Sequence, residues 1–209
     1  NEGQGSDGTA FTLYGNADGV GSEVFVINGG ELDLRDLNKG FIMGGPAPST
    51  AKVTVKENGV LNASGIDGNF SNGGEFVFDQ ATVDIKVGVD QGSNTLGGHA
   101  LSVHKLTATD SKITASASKY GLFTTDTDGE VKLLEGTTLE VKDSGSKLED
   151  GKAAMTMAGG ASLTVDSTSS LSVTGTNNKL HLDEAGTSVL LGTVEAEMNT
   201  VPYIYAVGF

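Results

Sequence analysis

The 209-residue chain has no cysteine, no tryptophan, three prolines and a single arginine, Arg35. Without cysteine there are no disulfides, no thiolate metal sites and no cysteine nucleophile, although the redox compartment stays open. So little proline excludes collagen and a Pro-rich linker. The shortage of positive charge, with a formal net charge of -14, argues against nucleic acid, whose phosphates are held by clustered Lys and Arg. It argues equally against an anionic membrane surface. No apolar run reaches the roughly 18 residues of a membrane helix. No basic, apolar leader is present either: the chain begins Asn1-Glu2-Gly3, which reads as a mature or excised fragment.

What replaces the missing types is small and β-branched. There are 31 glycines, 22 threonines and 18 serines, and glycine stands at about twice its usual ~7%. Such a composition suits strands and turns and opposes helical bundles. The length is enough to bury about 70% of the unfolded surface, and we read residues 1–209 as one domain.

Apolar residues alternate with polar ones in about twenty short segments, each closed by Gly, Asn, Asp or Ser. Clear cases are Lys52-Val-Thr-Val55, Glu75-Phe-Val-Phe78, Leu139-Glu-Val141, Ser162-Leu-Thr-Val165, Ser170-Leu-Ser-Val173 and Lys179-Leu-His-Leu182. Two apolar side chains at i and i+2 point one way and Thr, Ser, Asp or Glu the other, which defines a half-buried strand. Val165 and Leu171 belong to the inward phase. The best helical candidate, Ser146 to Met157, is broken by Gly151.

Strand starts at Glu31, Lys52, Glu75, Ala100, Gly121, Ala153 and Lys179 are spaced by 21 to 32 residues, the range of solenoid repeats. The pattern predicts an all-β fold of the β-solenoid type, with a loop extruded over residues 143–152. Further loops are expected at Gly44–Thr50 and Gly88–Gly98. An antiparallel β-sandwich is the alternative, because Asn58-Gly59, Asp67-Gly68 and Asp128-Gly129 are hairpin-type dipeptides. In a solenoid the same pairs would form corners.

The stretch from Gly160 to Leu182, with Lys52 to Gly65, resembles the passenger region of bacterial autotransporters, whose coils run as Gly-x-Leu-x-Val with Thr, Ser and Asn between. That resemblance implies an all-β, right-handed parallel β-helix, here of about seven to nine coils, on or released from the outer membrane, secreted and active in adhesion, self-association or biofilm formation. It also implies that partners are a second copy of the chain or a host surface protein or glycan. Coil lengths here vary, unlike the most regular members. At the C-terminus Tyr203, Tyr205, Val207 and Phe209 alternate as a last barrel strand would, but a capping strand or a cut within the passenger is the favoured reading.

Chemistry has few candidates. Enzymes on β-helices that act on polysaccharides need clustered carboxylates with calcium, Arg or Lys, and Arg35, between Leu34 and Asp36, reads as a paired surface residue. Asp126-Thr-Asp128-Gly is the closest approach to a calcium loop yet lacks a closing acid, so a plain turn is expected. Asp79, Asp84 and Asp90 read as solvated acids. His99, His104 and His181 have no partner at ligand spacing, and the last two fall in the outward phase. Phe76 and Phe78 are core. No catalytic, metal or cofactor-binding residue emerges, and the expectation is a non-enzymatic surface. Thr164, Asp166, Ser172 and Thr174 typify its outward face, with a non-binding stalk and a polysaccharide-active enzyme as competing readings.

Overall fold

The computed structural model describes residues 9–14, 21–35, 39–44, 50–65, 74–87, 99–117, 120–124, 128–143, 154–175, 179–182, 186–199 and 204–205. These residues form strands and turns, with no helix among them. In chain order the strands are β1 (Thr9–Tyr14), β2 (Glu23–Val26), β3 (Glu31–Leu34), β4 (Lys39–Gly44), β5 (Lys52–Lys56), β6 (Val60–Gly65) and β7 (Gly74–Asp79). There follow β8 (Thr82–Val87), β9 (His99–Thr109), β10 (Lys112–Ala117), β11 (Tyr120–Thr124), β12 (Glu130–Leu134), β13 (Thr138–Asp143) and β14 (Met155–Met157). The last are β15 (Ser162–Val165), β16 (Ser170–Gly175), β17 (Lys179–Leu182), β18 (Ser188–Leu190), β19 (Thr193–Glu195), β20 (Glu197–Asn199) and β21 (Ile204–Tyr205).

Every ladder among the described residues is parallel, so the antiparallel sandwich does not form. Three columns of strands emerge. The first runs β2, β5, β7, β9, β12, β15, β18, β21, and the second β3, β6, β8, β10, β13, β16, β19. The third runs β9, β11, β14, β17, β20, joined to the first through β9 in one 12-stranded sheet. β1 pairs with β4 in a separate sheet. In the first and second columns each strand pairs with the equivalent strand of the next pass of the chain.

The 11-residue β9 serves two columns, His99 to Val103 pairing with β11 and Lys105 to Thr109 with β12. Between them the register against β7 shifts, with Gly74 opposite Val103 and Glu75 opposite Lys105. His104 is therefore the extra residue of a β-bulge, which bends the strand from one column into the next.

The core is the sum of the inward phases. Val53, Phe76, Leu106, Val131 and Leu163 stack in register, as do Val55, Phe78, Ala108, Leu133 and Val165. The second column contributes Leu61, Val83, Ile113, Leu139 and Leu171. All of these are buried, and each large side chain so placed contributes about 1.5–3 kcal/mol. Phe76 and Phe78 lie tilted at 57° with centroids 6.1 Å apart, a favourable aromatic arrangement.

A column of charges accompanies this register on the outside. Glu23, Lys52, Glu75, Lys105 and Glu130 stand one above the next, so opposite charges alternate along the first column. Lys52 Nζ lies 3.6 Å from Glu23 Oε1. A slip of one residue would expose the core phase.

The strand starts read from the sequence mix these columns. Lys52 and Glu75 are true register partners, but Glu31 lies in the second column and Lys179 in the third. The reason is physical: strands of all three columns carry the same alternation, so spacing alone does not separate them. The proposed loops at 143–152, Gly44–Thr50 and Gly88–Gly98 lie largely outside the described residues, as does Asp67-Gly68.

Candidate functional site

Sequence-selected residues scatter across the columns. Arg35 is exposed, and its Nε donates to Asp33 Oδ1 at 2.8 Å while its Nη2 bonds Oδ2. Hydrogen bonds from the Arg35 side chain and backbone, aided by its charge, hold the Asp33 carboxyl down at about 2. Asp33, two residues before, supplies these contacts; Asp36 lies outside the described residues. Asp79 is half-buried on β7 and Asp84 on β8, in different columns. Asp84 is not simply solvated: Oδ2 accepts from Lys86 Nζ at 2.6 Å, and Oδ1 is buried without a hydrogen-bond partner. Asp90 and Asp126 lie outside the described residues, and Asp128 is an exposed turn residue. His104 and His181 are half-buried and sit in different columns; the His99 side chain is outside the description. Among the described residues no three His, Asp or Glu groups are placed to hold a metal ion. Tyr205 extends the first column, opposite Val189.

The corner between the first and second columns is built from short, hydrogen-bonded turns. It turns in three residues at Glu57, Asn58 and Gly59 and at Glu135, Gly136 and Thr137, but in two at Gln80 and Ala81 and at Asp110 and Ser111. Longer turns carry two successive residues at positive φ, Glu57 (55°) with Asn58 (63°) and Glu135 (54°) with Gly136 (83°). Shorter ones carry one, Gln80 (52°) or Asp110 (44°). Asn58-Gly59 is thus a corner and not a hairpin turn. The dipeptide suits it, because Asn tolerates the left-handed region and a Cβ on Gly59 would meet Val26 O at 2.7 Å.

These turns are themselves laddered. Glu57 N–H donates to Asp79 O, Asn58 N–H to Gln80 O, Gln80 N–H to Thr109 O and Asp110 N–H to Leu134 O. Beneath them, buried hydroxyls complete the pairing. Ser111 Oγ accepts from Ala81 N–H at 2.9 Å and donates to Thr109 O, while Thr137 Oγ1 accepts from Ser111 N–H and donates to Leu134 O at 2.7 Å. This is why polar Ser111 and Thr137 are buried without penalty.

One pass further, a carboxylate takes over the ladder. Asp166 Oδ2 accepts from Glu135 N–H at 2.6 Å, and Oδ1 accepts from Thr168 N–H at 3.0 Å and from its hydroxyl at 2.9 Å. Thr168 Oγ1 in turn accepts from Gly136 N–H. Burial alone would raise the Asp166 carboxyl, but the Glu135 N–H, the nearby Ser169 hydroxyl and the two Thr168 donors hold it at about 2.

Because the two short turns recede between two longer ones, they leave a notch of about 440 Å³. Asn58, Gln80, Ala81, Thr82, Asp110, Ser111, Lys112, Gly136 and Thr138 line it. The sequence reading missed this site. Its signal would have been one absent residue in each of two consecutive turns, visible only once the passes are aligned. Comparison of the chain with known protein families, with curated proteins and with solved structures finds no match.

Proposed function

We propose that this chain is a right-handed parallel β-solenoid of the autotransporter-passenger kind, displayed on or secreted from a bacterial surface, that works as an adhesin through its outward polar face. Eight strands in the first column accord with seven to nine coils. The observation that carries the reading is the in-register outward column Asn62, Asp84, Thr114, Glu140, Ser172. It repeats short hydrogen-bonding groups along the long axis of a strand stack. Each such group adds only ~0.5–1.5 kcal/mol net, so a partner must match many of them in register, which favours extended contact with a second copy or with a host surface.

Beads coated with the purified chain test this. Clumping with one another, or attachment to cultured epithelial cells above albumin-coated beads, is the expected result. Beads that do neither would mark the chain as a stalk. Sedimentation velocity over a hundredfold concentration range separates the two expected outcomes, since only self-association makes the sedimentation coefficient rise with concentration.

A further inference from the structure

We infer that the notch at the corner of the first and second columns binds one uncharged saccharide unit. This deepens the surface-contact reading, and rests on it, by naming a site and a ligand class. At about 440 Å³ the notch lies in the lower part of the ~300–1,000 Å³ range of ligand sites, room for a single sugar ring and not for an extended polymer.

The lining decides the chemistry. Ala81 is its one apolar side chain, so an apolar ligand gains nothing there. The side chains of Asn58, Gln80, Thr82, Asp110, Lys112 and Thr138 make no hydrogen bond or ion pair among the described residues. Elsewhere, opposite charges two residues apart on one strand close on each other, as in Asp84 with Lys86 and Glu130 with Lys132. Asp110 and Lys112 have the same spacing but stay open, because the positive φ of Asp110 takes it out of the strand. Their charges cancel, so the notch favours neither an anion nor a cation. One carboxylate also falls far short of the six to eight oxygens a calcium ion gathers.

What remains is a concave set of planar two-atom acceptors and donors, the carboxamides of Asn58 and Gln80 and the carboxylate of Asp110, with the hydroxyls of Thr82 and Thr138. Each planar group can engage two neighbouring hydroxyls at once, which is the pattern a sugar ring offers. The turn N–H groups of Asn58, Gln80 and Asp110 are already spent in the ladder, so recognition falls to side chains. Gln80 and Asp110 also share the positive φ of the other corner residues, a backbone region that glycine adopts at ease.

The test is an amide NMR titration with methyl glucoside, methyl galactoside and N-acetylglucosamine. With no aromatic ring to stack on, binding of at least one of them is expected on the order of millimolar, shifting Asn58, Gln80 to Thr82, Asp110 to Lys112 and Gly136 to Thr138. The double variant Gln80→Gly with Asp110→Gly should bind at least tenfold more weakly with an undiminished melting temperature, since glycine suits both backbone angles. Absence of a saturable shift at about 50 mM sugar, or shifts spread over other corners, overturns the proposal. So does saturation by inorganic phosphate in place of the sugars. The bead assay is independent: sugar titration without bead attachment removes the surface-contact reading and leaves the notch, while attachment without titration removes the notch and leaves the contact.

Discussion

Replacing Asp166 by alanine removes a carboxylate that receives three hydrogen bonds, one of them across to Glu135 of the previous pass. Its depression from 3.8 to about 2 would correspond to roughly 2 kcal/mol if unscreened. Water reaches the group, and screening reduces the figure to about 1 kcal/mol. For a chain of this size that lowers the melting temperature by about 2–4 °C. The sign follows from the direction of the shift: a carboxyl held low when folded stabilises above its unfolded pKa and loses that contribution as pH falls through its folded value. The gap between wild type and Asp166→Ala should therefore be full at pH 6, shrink below about pH 4 and vanish near pH 2. Asp166→Asn should fall between, because its carbonyl can still accept from Thr168 while its amide faces the Glu135 N–H, donor against donor. Thermal or urea midpoints measured by circular dichroism from pH 2 to 7 provide the readout. A gap that is absent at pH 6, or that persists unchanged to pH 2, would refute the idea that the carboxylate completes the ladder.

Three further outcomes are expected. Val165→Asp or Leu171→Asp buries an unpaired charge at positions that are fully buried, which should destabilise by several kcal/mol; an unchanged melting curve would show the inward phase to be misassigned. Gly192→Ala places a Cβ 2.2 Å from the carbonyl oxygens of Asp166 and Ser169, forcing backbone apart at about 1–3 kcal/mol. Gly136→Ala meets open space at φ +83° and should lose only about 1 kcal/mol, so denaturation midpoints should rank the two in that order. Arg35→Met should return the Asp33 carboxyl from about 2 toward its ordinary value, read by a carboxyl-carbon NMR titration.

The inward phase was legible because each strand declares it locally: in Ser162-Leu-Thr-Val165 the two apolar residues are buried and the polar ones are not. Column membership was not. Glu31-Leu-Asp-Leu34 and Lys52-Val-Thr-Val55 carry one alternation but belong to different sheets, and only their long-range partners distinguish them. The charge ladder from Glu23 to Glu130 was hidden for the same reason, its members being separated by whole passes. Asp166 carried a readable cue, since Asp two residues before Thr is a side-chain-capped turn, yet its bond to Glu135 spans 31 residues. Asp110 and Lys112 gave no cue, because the notch arises from residues that two turns lack.

Spin labels at Phe25, Lys132 and Val189, on the outer side of the first column, test the stacking of passes most directly. Phe25, Thr54, Val77, Thr107, Lys132, Thr164 and Val189 are successive register partners. With strands ~4.8 Å apart, Phe25 should lie about 19 Å from Lys132 and about 29 Å from Val189, backbone to backbone. The chain has no native cysteine to compete for the labels. Electron–electron distances that lengthen in that proportion are the predicted result. A Phe25 to Val189 distance equal to or shorter than that from Phe25 to Lys132 would contradict an extended stack of parallel passes.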